Sequence, residues 1–117
     1  MQQITVIGSR GASETLQGMV DTGAHFTVIP SSVLHRLGVE PTGEIPVQFA
    51  NGEVMQWSLG EAQAELQGVR RPILVLFGSE DAPALIGAHT LEAFLLDVDV
   101  VEKKLIPKKA LLMSIDA

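Results

Sequence analysis

Apolar positions along this chain fall in short runs and two-residue alternations separated by glycine-rich and polar turns, a pattern that predicts strands with few helices. Ile4 to Ile7 is the first β-rich run. The composition of Gly8-Ser9-Arg10-Gly11-Ala12-Ser13 closes it with a turn, and Thr15 to Val20 is its expected partner. Phe26-Thr27-Val28-Ile29 reads as a third strand. Pro30-Ser31-Ser32 then starts a short helix that Gly38 ends, with Ser31 as candidate N-cap and Val33, Leu34 and Leu37 facing inward.

The alternation is clearest where Ile45, Val47 and Phe49 interleave with Pro46, Gln48 and Ala50, and where Met55, Trp57 and Leu59 alternate back. Asn51-Gly52 between them predicts a two-residue hairpin turn. Past Gly60 the apolar set changes phase to Ala62, Ala64 and Leu66, which predicts a bulge or bend at the glycine. Gln67-Gly68 is the next turn. Ile73 to Phe77, apolar at every position, suits a central strand buried on both faces. An acidic loop from Gly78 to Pro83 leads to a strand over Ala84 to Ile86, Gly87, and a helix with Leu91, Phe94 and Leu95 on one face. Asp97 to Val101 and Leu105-Ile106 form a last hairpin around Glu102-Lys103-Lys104. The tripeptide Gly23-Ala24-His25 recurs as Gly87-Ala88-His89, each copy following an apolar run.

The chain has 117 residues, 46% of them hydrophobic, which is enough for one domain over residues 1–117 and too few for two. Eight Lys and Arg against fourteen Asp and Glu give a formal charge of −6, so nucleic acid is not an expected partner. There is no cysteine, hence no disulfide or thiolate metal site, which is compatible with a cytoplasmic location. Met1-Gln2-Gln3-Ile4 has no signal-peptide pattern, and no apolar run approaches the ~20 residues of a membrane span. His25, His35 and His89 lack the spacing of a helical metal pair, and there is no Gly-x-Ser-x-Gly elbow, so neither a metal nor a serine nucleophile is expected.

The candidate chemistry rests on Val20-Asp21-Thr22-Gly23-Ala24, which places one carboxylate on a tight turn leaving an apolar strand. By composition alone Asp21 could be a solvated Asx-turn residue without a reaction to perform. The further Thr27-Val28-Ile29, and Leu85-Ile86-Gly87 opening a helical pattern, make the combination more specific than Asp-Thr-Gly by itself. From about Thr15 to about Pro107 the chain resembles the retropepsin-like aspartic proteases. Phe49-Ala50-Asn51-Gly52-Glu53 and the segment from Leu96 to Pro107 are similar to the small prokaryotic single-domain members.

The resemblance implies an all-β acid-protease barrel with a flap hairpin and one or two short helices. It also implies an aspartic endopeptidase without cofactor or metal. With one Asp-Thr-Gly per chain, the active site needs a homodimer, because one carboxyl must act as base on water while another stays protonated. Asp21 is then the catalytic residue, Thr22, Gly23 and Ala24 position it, and Asn51, Gly52, Trp57, Ile86 and Gly87 are candidate flap or substrate contacts. An alternating strand aromatic such as Trp57 is more often a core residue than a pocket residue. Ala24 lacks the hydroxyl that two-lobed relatives often carry there, so activity is expected at mildly acidic pH, about 5 to 6.5. Ala88 stands where many retroviral members have a cation. The apolar segment Ala110 to Ile115 is the candidate for strand pairing between two copies. The competing reading is a non-catalytic dimerisation or peptide-binding module of the same fold.

Overall fold

A computed structural model describes residues 1–109. Nine strands and two one-to-two-turn helices follow one another as β1 (Gln2–Ile7), β2 (Ser13–Val20), β3 (Thr27–Pro30), α1 (Ser31–Arg36), β4 (Pro41–Gln48), β5 (Val54–Leu66), β6 (Val69–Gly78), β7 (Ala84–Ile86), α2 (Ala88–Ala93), β8 (Leu96–Asp99) and β9 (Lys104–Pro107). The main sheet runs β1-β2-β7-β3-β6-β5-β4, and a further pairing of β1 with β5 closes the first six strands into a barrel. Closure leaves no open edge on those six strands. β4 hangs outside the ring on β5 alone, and β8 pairs with β9 as a separate hairpin.

The barrel interior is filled by aliphatic side chains, with Ile4, Val6, Ile29, Leu34, Val75, Ala64 and Ile86 at 0% exposure. Each full burial of a Val, Leu or Ile side chain is worth about 1.5–3 kcal/mol relative to leaving it in water. Helix α1 closes one side with Val33, Leu34 and Leu37, all buried as the sequence predicts. Its end is a Schellman motif: Val39 N–H reaches Leu34 C=O, Gly38 N–H reaches His35 C=O, and Gly38 has φ +75°. Its start differs from the expectation. Pro30 is the N-cap, and the Ser31 hydroxyl donates instead to the Gly78 carbonyl. The cap comes from the β6–β7 loop, where the Glu80 carboxylate accepts from the Ser32 amide at 2.9 Å and from the Ser32 hydroxyl.

β5 ends in two different hairpins. Between β5 and β6 the two-residue turn Gln67-Gly68 has φ +50° and +80°, the positive pair that a type I′ turn requires. Between β4 and β5 the Phe49–Glu53 hydrogen bond closes a turn of three residues, Ala50 to Gly52, rather than the expected two. Gly52 N–H bonds to Phe49 C=O, Phe49 N–H bonds to Glu53 C=O, and only Gly52, at φ +88°, is left-handed. Asn51 keeps a negative φ because its side chain is spent locally, its Oδ1 accepting from the Glu53 amide at 2.9 Å.

The phase change at Gly60 also has a cause other than a bulge in β5. β5 pairs with β6 without interruption from Leu59 to Leu66, and the register irregularity lies across from Gly60 on β4, between Pro41 and Gly43. What changes is the apolar neighbour. Gly60, Ala62, Ala64 and Leu66 face the barrel interior, whereas Trp57 lies on the opposite face, over a cleft. β6 is central, between β3 and β5, but Leu74 is 41% exposed, so burial on both faces starts only at Val75. Leu95 turns outward at 59% exposure instead of joining Leu91 and Phe94, because the helix stops at Ala93 and Leu95 adopts φ +55°. No helix among the described residues is long and apolar enough to cross a membrane. The expected pairing segment Ala110 to Ile115 lies outside the described residues.

Candidate active site

Asp21 is the first residue beyond β2. β2 runs parallel to β7 with Val20 opposite Ile86, and the Asp21 amide donates to the Ile86 carbonyl at 3.0 Å, which carries the ladder one residue past the strand. The chain then turns within three residues. Ala24 N–H bonds to Asp21 C=O at 3.1 Å, and Gly23 N–H donates to the Asp21 carboxylate Oδ1 at 2.9 Å. A side chain at position 23 would put its Cβ 3.3 Å from that oxygen, so glycine leaves the carboxylate room while its amide holds one oxygen. Asp21 and Ala24 are half-buried; Thr22 and Gly23 are exposed.

The second motif lies directly beneath. Ala88 N–H donates to Ala24 C=O at 2.8 Å, and His89 N–H donates to His25 C=O at 2.9 Å, so the two Gly-Ala-His copies are bonded to each other. Gly87 is buried between them, and a Cβ there would lie 2.4 Å from the Phe26 carbonyl oxygen. Only glycine lets the two segments approach this closely. The Gly87 amide donates to the Thr27 hydroxyl at 3.1 Å, and Thr27 is hydrogen-bonded in turn to the Thr90 hydroxyl. Thr27 and Thr90 are the buried polar residues of the core, at 0% and 1% exposure, and each satisfies the other.

Above the turn, β4 and β5 form a hairpin over a cleft of about 740 Å³. Asp21, Gly23 and Ala24 line its floor, Ile45, Val47, Phe49 and Trp57 its roof. Trp57 is half-buried, with its ring edge-on to Phe49 at 5.6 Å between centroids, so it belongs to the cleft rather than to the core. Asn51 and Gly52 sit exposed at the hairpin tip. Ile86, expected to contact substrate, is fully buried, and its neighbour Leu85 lines the cleft instead, because successive side chains of β7 point to opposite faces. Val28, Leu76 and His25 also line the cleft; strand alternation is the sequence signal for Val28 and Leu76, whereas His25 lies before β3 and was marked only by the repeated Gly-Ala-His. Gly87 supports the floor without lining it. A smaller cavity of about 400 Å³ adjoins the turn at Thr22, bordered by Met1, Met19, Val98 and Val100. Among the described residues no three His, Asp or Glu side chains converge on a common point.

A carboxylate seated in an Asp-Thr-Gly turn, bonded to an Ile-Gly segment and roofed by a hairpin, is what an acid-protease half-site requires. The family model described as "Aspartyl protease" matches residues 4–90. The chain belongs to the aspartyl protease family. The match runs from within β1 through β7 and takes in the Asp21 turn and the Gly87 segment, so the aspartyl protease assignment covers every element that builds the floor and roof.

The fold is that of retropepsin-like proteases. The solution structure of simian foamy virus (mac) protease aligns with a TM-score of 0.57 at 19% identity, covering 78% of this chain and 90% of that one. The foamy viral protease-reverse transcriptase in complex with an RNA/DNA hybrid aligns with a TM-score of 0.57 at 20% identity, over 96% of this chain but only 13% of that larger protein. No curated protein matches the chain by sequence.

Proposed function

We infer that this aspartyl protease is an endopeptidase active as a homodimer, in which Asp21 of two copies forms the catalytic pair. The observation that carries the reading is the position of Asp21: on the cleft floor, one carboxylate oxygen held by the Gly23 amide, its backbone tied to Ile86. One carboxyl cannot serve as base and acid at once. Two placed about 3 Å apart share a proton, so one takes a proton from water while the other donates to the substrate carbonyl. Water attacks that carbonyl carbon, and the amide nitrogen leaves as the amine after receiving a proton. Twofold symmetry delivers the pair because each turn faces its own copy.

Exposed apolar side chains beside the turn support pairing. Met1 is 78% exposed, Met19 48% and Val100 78%, and all three border the cavity at Thr22. An extended peptide would lie in the cleft of about 740 Å³, and the β4–β5 hairpin is the flap that would close over it. The pH optimum proposed for this pair stays at about 5 to 6.5, since Ala24 offers no hydroxyl to a carboxylate.

The test compares the natural chain with Asp21→Asn on an unstructured protein from about pH 3 to 8, with sedimentation of both. Cleavage by a dimer, abolished by the substitution, supports the reading. Two folded dimers that cut nothing would leave a peptide-binding module of the same fold, and an optimum below about pH 3.5 would contradict the role given to Ala24.

A further inference from the structure

His25 is the second ionisable side chain of the cleft. Among the described residues only two ionisable side chains, Asp21 and His25, line the cleft; its other walls are apolar, backbone, the Gln48 amide or the Trp57 indole. His25 is exposed and follows Asp21 in the chain after the Thr22–Ala24 turn. Its position is fixed from two directions. Its carbonyl accepts from the His89 amide at 2.9 Å, and its ring meets the His89 ring edge-on at 6.2 Å between centroids. His89 is itself stacked on Phe26 at 5.1 Å. Among the described residues the His25 ring has no carboxylate partner, the one ion pair being Arg36 with Glu14.

An imidazole always carries at least one N–H donor, and among the described residues no lysine or arginine lines the cleft to compete with it. A peptide in the cleft would satisfy it best with a carboxylate, since a charge-assisted bond is roughly twice as strong as a neutral one. Near the scissile bond such a group would meet Asp21 and be repelled; beyond the turn it meets His25. We propose that His25 is a specificity-determining residue that selects peptides carrying an Asp or Glu side chain outside the scissile pair, with His89 positioning its ring. The proposal rests on the protease reading, and its test separates the two.

The probes are labelled decapeptides with an apolar pair at the centre and Glu, Gln or Lys at each flanking position in turn. Cleavage is measured with the natural chain and His25→Leu, and binding is measured by anisotropy with Asp21→Asn and the Asp21→Asn, His25→Leu double variant. At one flanking position the Glu peptide is expected to be cleaved and bound about tenfold better than its Gln counterpart, and His25→Leu, which removes the donor, should reduce that ratio to about one. His89→Leu should halve the preference or more without abolishing cleavage. Cleavage with no Glu preference, or a preference that survives His25→Leu, overturns this inference and leaves the protease standing. No cleavage, with Glu-selective binding lost in the double variant, overturns the protease reading and keeps His25. No peptide binding by either background overturns both.

Discussion

The floor beneath Asp21 and the hairpin above it are made from similar alternating strands, yet they differ in what holds them. Ile86 and Thr27 at 0% and Thr90 at 1% exposure underlie the Asp21 turn, and three backbone hydrogen bonds, from Asp21, Ala88 and His89, lock it to the second motif. From Glu40 to Leu59, by contrast, no residue is buried; Val54 and Met55 are 56% and 50% exposed, and β4 hydrogen-bonds only to β5. The floor shares the stability of the core, while the hairpin opens at the cost of few buried contacts. A site that must hold a carboxylate still and admit a substrate benefits from this division.

The difference is broken most directly at Gly87. Gly87→Val forces a Cβ to within 2.4 Å of the Phe26 carbonyl oxygen, and backbone cannot yield as a side chain can. It should cost about 3 kcal/mol or more, seen as loss of cooperative thermal unfolding or a melting point lower by ten degrees or so. An unchanged melting point would show that the two motifs are not in close contact.

Thr27→Val keeps the shape but strands the Gly87 amide and the Thr90 hydroxyl, for about 1–3 kcal/mol in denaturant titration. Restoring the hydroxyl with Thr27→Ser should recover part of the loss. In the roof, Trp57→Ala should cost no more than about 1 kcal/mol of stability, since the ring is half-buried, while kcat/KM for peptide cleavage falls about tenfold. A stability loss as large as that at Thr27 would make Trp57 part of the core after all.

The smallest effect is expected at Glu80. The Ser32 hydroxyl, then the Ser32 amide, hold its carboxyl below the usual carboxylate value. A folded pKa below the unfolded one stabilises the protein above the unfolded pKa, and that contribution fades as pH falls through the folded one. Glu80→Gln should therefore lower the melting point slightly at neutral pH and not at all in strong acid; a difference that grows toward acid would reverse the sign.

Much of this was legible in the chain. The Asp21 turn, the strands before and after it, the Gln67-Gly68 turn and the inward face of α1 follow from local preference, because period-two alternation and glycine turns report on a residue's own backbone and its immediate neighbours. The echo of Gly-Ala-His was visible too, though the hydrogen bonds that join its two copies were not. Asn51-Gly52 misled because an Asx bond from Asn51 to Glu53 competes with the φ that a two-residue turn needs. Ile86 misled because alternation gives two faces and does not say which one meets the core.

By itself, then, the sequence determined the strand content, the turn that carries Asp21 and the glycine that lies beneath it. Tertiary structure decided which face of β5 looks into the barrel and which into the cleft, that Glu80 rather than Ser31 caps α1, and that His25 lies in the cleft beside His89. Each of those depends on a partner dozens of residues away, and only closure of the barrel brings such partners within hydrogen-bonding distance.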